Sequence, residues 1–198
     1  MLLGGFKGAL DDEDDADHGP SHEYTIRCGG TFHSRFVEYA HVEAGGDIMI
    51  DDHAMFSTLV AANNVVVGGS SGKGQIVGGS VTALGRVTAT KYGATSGAKT
   101  LVQVGLDPRH QLHCDHLESE IAKLQAADPE ATDLVRLREQ IAVLRAKLAI
   151  ADHACVSVGR TIYPGTQIRI GAKRWSSVDE HTSGVFRVVD GEVMLCPQ

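Results

Sequence analysis

The sequence predicts a mainly β protein, a short parallel β-helix into which an antiparallel α-helical hairpin is inserted. A strand pattern repeats over residues 1–106, a heptad pattern follows over 107–153, and the strand pattern returns over 154–198. Repeat copies that are too small to bury their own apolar face must stack on one another to form a core. We therefore expect one β architecture with a projecting helical arm.

The repeat consists of two short strands, apolar at every second position, joined by a bend. Shifts of 16, 17 and 22 residues carry the pattern from one copy to the next. The first apolar positions of the four copies are Ile26, Val42, Leu59 and Val81. The last shift is longer because it contains the glycine cluster 68–74, which we interpret as a turn between coils.

The bends predict where the chain changes direction. Gly45–Gly46 stand between two strands, and Asn63–Asn64 occupy the bend of the next copy, as residues that tolerate left-handed conformations. Cys28 shares a repeat position with Ala44 and Ala61, which indicates a small core residue rather than a nucleophile.

Two helices are predicted between residues 107 and 153. Asp107-Pro108 and Asp128-Pro129 each provide a helix cap followed by proline at the first helical position. The apolar residues that follow recur at steps of three and four, a heptad seam typical of a coiled coil. The seam either only joins the two arms or also binds a partner. The candidate partner-binding residues are Leu117, Ile121, Leu124, Leu137, Ile141 and Leu144.

The β pattern after the hairpin predicts that the hairpin is an insertion. Residues 162–170 match residues 42–50 at a uniform shift of 120, which aligns Ile168 with Ile48. Phe186, Val188, Val193 and Leu195 are expected to supply closing strands.

Composition excludes several classes of function. Six acids lie between Asp11 and Asp17, predicted to form a solvated acidic loop near 10–20, and the remainder of the chain is nearly neutral. A basic face for nucleic acid is therefore not expected. No apolar run is long enough to span a bilayer. Four widely spaced cysteines suggest reduced thiols and a cytoplasmic protein.

One group of residues resembles a partial metal site. His110, His113 and Cys114 would share one face of a helix, but no fourth ligand is identifiable. We expect a structural role for these weak candidates, and neither a metal nor another cofactor.

The chain resembles the family of flagellar assembly protein A, also called DUF342. The resemblance rests on Val42–Ile48, Gly74–Gly79, Thr100–Gly105 and Ile162–Gly165, in that order. It implies a right-handed β-helix, a helical hairpin, and a role in flagellar assembly or polar protein interactions.

The expected function is a noncatalytic scaffold for a flagellar-assembly or signalling protein. A self-assembling structural protein, and thus a homo-oligomer, is one alternative. The other is a β-helix enzyme acting on polysaccharides or acyl groups, although fold alone does not decide function.

Overall fold

A computed structural model of the chain describes residues 4–7, 24–69, 73–105, 136–140 and 154–197, together with positions 117, 119, 121, 125 and 134. The described part is mainly β, and its strands form one hydrogen-bonded network. The strands are β1 Phe6–Lys7, β2 Thr25–Cys28, β3 Phe32–Glu38, β4 His41–Ala44, β5 Ile48–Ala61, β6 Val65–Val67, β7 Gln75–Ala83, β8 Arg86–Tyr92, β9 Thr100–Val104, β10 Cys155–Ile162, β11 Thr166–Ile170, β12 Lys173–Ser176, β13 His181–Val189 and β14 Glu192–Cys196.

The strands wind through three faces, and one turn through all three is called a rung. Face 1 contains β2, β4, the end of β5, the end of β7, β9 and β11. Face 2 contains the start of β3, the start of β5, β6, the start of β8 and the start of β10. Face 3 contains β1, the end of β3, the middle of β5, the start of β7, and the ends of β8 and β10. Neighbouring strands within each of these stacks are parallel, so the described chain is a β-solenoid.

The apolar positions of the predicted repeat lie in register from rung to rung. One column on face 1 contains Ile26, Val42, Leu59, Val81, Val102 and Ile168. The matching column on face 2 contains Phe32, Ile48, Val65, Val87 and Val156. The predicted shifts of 16, 17 and 22 residues are therefore confirmed as rung lengths. The predicted right-handed winding stays a prediction.

The two-strand repeat was incomplete, because each rung has a further strand on face 3. The inward residues of these strands are at most 3% exposed: Val37, Ala54, Ile76, Tyr92 and Ile162. The Tyr92 hydroxyl lies close to two backbone carbonyl oxygens, those of Ser157 at 3.0 Å and Val87 at 3.2 Å. Burial raises the pKa of Tyr92 well above its ordinary value, so this phenol stays protonated and acts as a core residue.

The predicted alignment of residues 162–170 with 42–50 is wrong. Ile168 pairs with Val102 and belongs to the column of Val42, whereas Val156 continues the column of Ile48. Strands on different faces share the same alternation of apolar and polar residues, so pattern alone does not identify the face. Only strand pairing fixes it.

The smallest side chains also form a column, as predicted. Cys28 pairs with Ala44, Ala44 with Ala61, and Ala61 with Ala83. The Cys28 thiol is half-buried against the core and donates to the carbonyl oxygen of Gly30 at 3.3 Å. Elsewhere in the interior, each fully buried aliphatic side chain contributes about 1.5–3 kcal/mol relative to an exposed one.

The bend between faces 1 and 2 requires glycine for close approach rather than for a left-handed conformation. A Cβ on Gly45 would collide with the carbonyl oxygen of Gly29 in the rung before it. Asn63 and Asn64 lie in the predicted bend, but neither has a positive φ, so the left-handed expectation was wrong. Their amides are satisfied by the neighbouring rung instead, and the bend keeps ordinary backbone angles.

The bend between faces 3 and 1 does use left-handed residues. Tyr39 and Phe56 have φ values of 50° and 45°, and their rings stack with centroids 5.5 Å apart. Gly78 follows in the next rung with φ of 64°, and a Cβ there would lie 2.5 Å from the Phe56 ring. Aromatic stacking thus holds an unfavourable backbone conformation in place.

Antiparallel strands close the C-terminal end of the solenoid. β12 pairs with β11, β13 with β10, and β14 with β13. Trp175 packs on Phe186 with ring centroids 4.6 Å apart, and on His181 at 5.1 Å. The strand pairings confirm the predicted closing strands. They also cover the edges of β10 and β11, which would otherwise be open to pairing with another chain.

The predicted hairpin is represented by few described residues. Residues 136–140 are helical, as are positions 117, 119, 121, 125 and 134. Both Asp-Pro helix starts lie outside the described residues, and so does the acidic loop predicted near 10–20. The antiparallel pairing of the two arms stays a prediction. Within the described residues, no helix combines the length and apolar character that crossing a bilayer would require.

The contacts of two glycines that stack in successive rungs predict different effects of their substitution by alanine. Gly45→Ala should lower the free energy of unfolding by about 1–3 kcal/mol, because its Cβ meets backbone that cannot move alone. Gly29→Ala is the matched control, since no atom lies within 4 Å of a Cβ there. Its effect should stay within about 0.5 kcal/mol. Urea midpoints measure both, and equal destabilisation by the two variants would contradict this account of the bend.

Candidate functional site

The segment predicted as a hairpin leaves the solenoid at one corner of one rung. β9 ends at Val104 on face 1, and β10 begins at Cys155 on face 2. Both strands keep parallel pairing with the rung before them, β9 with β7 and β10 with β8. The rung therefore continues on both sides of residues 106–153.

The two residues that flank this segment reproduce the previous corner. Gly105 donates its amide to the carbonyl oxygen of Leu84 at 3.0 Å. By strand register, Gly105 and Ala154 stand where Leu84 and Gly85 join the preceding strands. We call Gly105 and Ala154 the root. By register, the root therefore occupies the positions of a two-residue corner, as expected if the segment between its residues is an insertion.

A ladder of hydrogen bonds connects successive rungs along the same corner. Asp47 Oδ1 accepts from the backbone amide of Asn64 at 3.1 Å and from its Nδ2 at 2.9 Å. Asn64 Oδ1 accepts from the Arg86 amide at 3.0 Å, and Arg86 Nε lies 3.2 Å from the Cys155 sulfur. These contacts join four successive rungs and end at Cys155, the residue after Ala154 of the root.

Sequence reasoning missed this ladder, although a signal was present. Asp47 and Asn64 are 17 residues apart, which is the repeat shift between their two rungs. By strand register, Asn63 is equivalent to Gly46 and Asn64 to Asp47. The predicted alignment placed the two asparagines opposite Gly45 and Gly46, one position earlier. A polar residue repeated at the rung length indicates a corner ladder.

An open groove of about 510 Å³ runs beside this corner on face 2. Met49, which is 45% exposed, lies in it with Val66 and Thr88 from the following rungs. Asp47 and Arg86 of the ladder form part of its rim. This corner groove combines apolar with polar and charged side chains, a composition found in protein-binding surfaces. Groove and root together form the candidate functional site.

The predicted partner-binding residues are only partly described. Leu117 is helical and 5% exposed, and Ile121 and Leu137 are helical and half-buried. Leu124, Ile141 and Leu144 lie outside the described residues. Partner binding by the seam stays a prediction.

The structure describes part of the glycine cluster, and it leaves the predicted metal candidates untested. The metal candidates His110, His113 and Cys114 lie outside the described residues, and the described residues contain no metal-binding group of three or more His, Cys, Asp or Glu side chains. The glycine cluster leads directly into strand β7. Gly68 has φ of 87°, and a Cβ on Gly74 would collide with Val67. These features fit the predicted turn between coils.

Charged pairs surround the N-terminal rungs. Glu38 accepts from His53 at 2.9 Å and lies 3.4 Å from Lys7. Glu43 accepts from His41 at 2.9 Å and from Arg27 at 3.0 Å. The histidine hydrogen bonds are the main cause that lowers the pKa of each glutamate, burial opposes them, and the nearby Lys7 or Arg27 lowers the pKa further.

Comparison with protein-family models gives a match over most of the chain. A family model described as "Flagellar Assembly Protein A beta solenoid domain" matches residues 4–132. Neither the curated proteins nor the solved structures include a match. The match covers the first five rungs on face 1 and extends past Gly105 of the root.

The corner ladder predicts unequal effects for two adjacent asparagines. Asn64→Ala should cost about 0.5–1.5 kcal/mol of unfolding free energy, because it removes the side-chain hydrogen bonds to Asp47 and to the Arg86 amide. Asn63→Ala is the control, since the Asn63 side chain is exposed and only its backbone atoms bond to neighbouring rungs. Chemical denaturation measures both variants. The ladder has no energetic role if the two midpoints shift equally.

The glutamate pairs predict a loss of stability in acid. Glu38 and Glu43 have a lower pKa in the folded chain than the ordinary value of 4.5, so the unfolded chain binds more protons in acid. Their contribution is present above that ordinary value and disappears as the pH falls through the folded-state values.

Urea midpoints recorded between about pH 7 and pH 3 measure this loss, which follows from proton linkage. Glu38→Gln combined with Glu43→Gln should flatten the acid side of the profile. Glu192→Gln, at an exposed position, should leave it unchanged. A profile that keeps its slope in the double variant would contradict the assignment.

Proposed function

The chain belongs to the family of the flagellar assembly protein A β-solenoid domain, and on that premise we propose that it is a noncatalytic scaffold that binds proteins during flagellar assembly. The observation that carries this proposal is the continuity of strand pairing on both sides of the root. A stacked solenoid is a rigid support, so a segment attached at its corner is presented at a fixed position.

The segment between the root residues is the proposed contact element. We infer that it forms an antiparallel helical hairpin on a right-handed solenoid, with its partner surface on the outer side of the seam. Among the predicted seam residues, the burial of Leu117 favours a role in holding the arms together. The less buried Ile121 and Leu137 are better placed to contribute to a partner surface. Apolar positions at helical spacing suit recognition of a partner helix.

The corner groove supports a continuous contact surface. It lies along the edge from which the segment departs, and the exposed Met49 provides an adaptable apolar contact. A partner that binds the base of the arm would therefore also reach face 2. We place this activity in the cytoplasm, where free thiols such as the described Cys28, Cys155 and Cys196 remain reduced.

Self-association is the second candidate function, and strands that are paired on one side only favour it. Among the described strands, β1 pairs only with β3 and β2 only with β4, and at the other end β12 pairs only with β11 and β14 only with β13. An uncovered edge can pair with a second copy. Light scattering across a concentration series distinguishes a monomer from such an assembly.

The scaffold proposal predicts that removal of residues 106–153 preserves the fold but abolishes the function. Joining Gly105 directly to Ala154 recreates a two-residue corner, so the shortened chain should keep its β circular dichroism and a cooperative urea transition. In native cells it should no longer support flagellar assembly or retain the partners of the intact chain. Flagella counted by electron microscopy and affinity purification measure these effects.

A matched control replaces residues 106–153 with an unrelated helical hairpin of equal length. This chimera should fold but fail to restore flagella, because the contact residues are absent. Normal flagellation with the shortened chain would exclude the segment as the functional surface. Restoration by the chimera would mean that only the bulk of an arm is required.

A further inference from the structure

Face 3 carries a second open groove, of about 430 Å³, whose chemistry differs from that of the corner groove. Its basic residues come from distant parts of the sequence: Lys73 before β7, Lys91 in β8 and Arg160 in β10. The folded chain thus gathers three cations along one face of a protein whose formal charge is −7. We call this the basic groove.

Stacking of the rungs sets the spacing of these groups. His53 pairs with Gln75, Gln75 with Lys91, and Lys91 with Thr161. Neighbouring strands lie about 4.8 Å apart, so this outward column extends over about 14 Å. Arg160 lies where the pairing of β10 with β8 shifts register, between Val158 and Thr161. The irregularity places one additional cation beside this column, next to Thr161.

The acids near the groove already have partners. Asp52 lies in its lining and accepts from Arg35 at 3.0 Å. Glu38 accepts from His53, which stacks on Phe36 with ring centroids 5.4 Å apart. Within the described part of the chain, by contrast, Lys91 and Arg160 form no ion pair. No described acid therefore balances the positive charge at the end of the groove formed by Lys91 and Arg160.

We propose that the basic groove binds an extended, carboxylate-rich segment of a partner protein. Lys91 and Arg160 would pair with acidic side chains of the bound segment, and Arg160 suits a carboxylate in a bidentate geometry. Met55 provides an apolar contact in the lining. An elongated open groove fits a peptide better than it fits a compact anion, and three cations are few for the phosphate backbone of a nucleic acid.

This site is independent of the proposed arm surface. The basic groove lies on face 3, whereas the root and the corner groove lie at the corner of faces 1 and 2. Failure of the binding experiment below would leave the scaffold role of the arm unaffected, and loss of flagella on deletion of the arm would not test the groove.

The test uses the intact chain and a fluorescein-labelled peptide of alternating Glu and Ala residues, followed by fluorescence anisotropy. Lys91→Gln combined with Arg160→Gln should weaken binding at least about tenfold, the equivalent of about 1.4 kcal/mol. The affinity of the intact chain should also fall as salt is raised, because exposed charges are screened. Circular dichroism verifies that the variant is folded.

Two further variants keep the result interpretable. Arg169→Gln combined with Arg174→Gln removes the same charge from exposed positions on paired strands β11 and β12, and should change affinity less than about twofold, since surface charges far from the ligand are screened. Lys91→Arg combined with Arg160→Lys keeps both charges and should retain most of the binding.

Three results would overturn the proposal. The intact chain could fail to bind the peptide. Alternatively, the two double variants that replace cations with Gln could weaken binding equally, which would indicate general charge attraction. A labelled oligonucleotide or inorganic phosphate could compete at lower concentration than unlabelled peptide and depend on the same two cations. That outcome would assign the groove to a phosphate ligand instead.

Discussion

Parallel pairing from one rung to the next is the constraint on which the rest of the structure depends. Because each strand lies in register with the strand one turn earlier, equivalent residues form columns, and each inward side chain must pack on its neighbours in the rungs before and after it. Ile26, Val42 and Leu59 show this on face 1. A one-residue slip would turn every inward side chain outward, so the register is strongly specified.

The same constraint explains where a large segment can be added. A corner links two faces but belongs to neither column, so residues inserted there disturb no strand pairing. Gly105 and Ala154 occupy the register positions of an ordinary corner, and the ladder from Asp47 through Asn64 links the rungs before them. The outward columns are free of the packing requirement. They can therefore differ in chemistry from face to face, apolar around Met49 and basic around Lys91.

Sequence reasoning recovered what depends on periodicity. The columns of Val42 and Ile48 and the closing strands follow from alternation and shift, and the structure confirms them. The inserted position of 107–153 follows from the same pattern and stays a prediction. It misplaced Ile168 because strands of different faces have the same pattern. Face 3 was missed for a different reason, since its inward column mixes Ala54 with Tyr92. The basic groove could not be predicted, because Lys91 and Arg160 meet only through pairing across the inserted segment.

Amide hydrogen exchange followed by mass spectrometry tests most directly whether one solenoid continues through the inserted segment. Peptides from β9 and β10 should be protected to the same degree as those from β8, and should exchange with them as one cooperative unit. Strands that share a ladder open together, so residues 86–105 and 154–162 should open in a single step. Early, separate exchange of β10 would contradict it and would mean that the cooperative solenoid ends at β9.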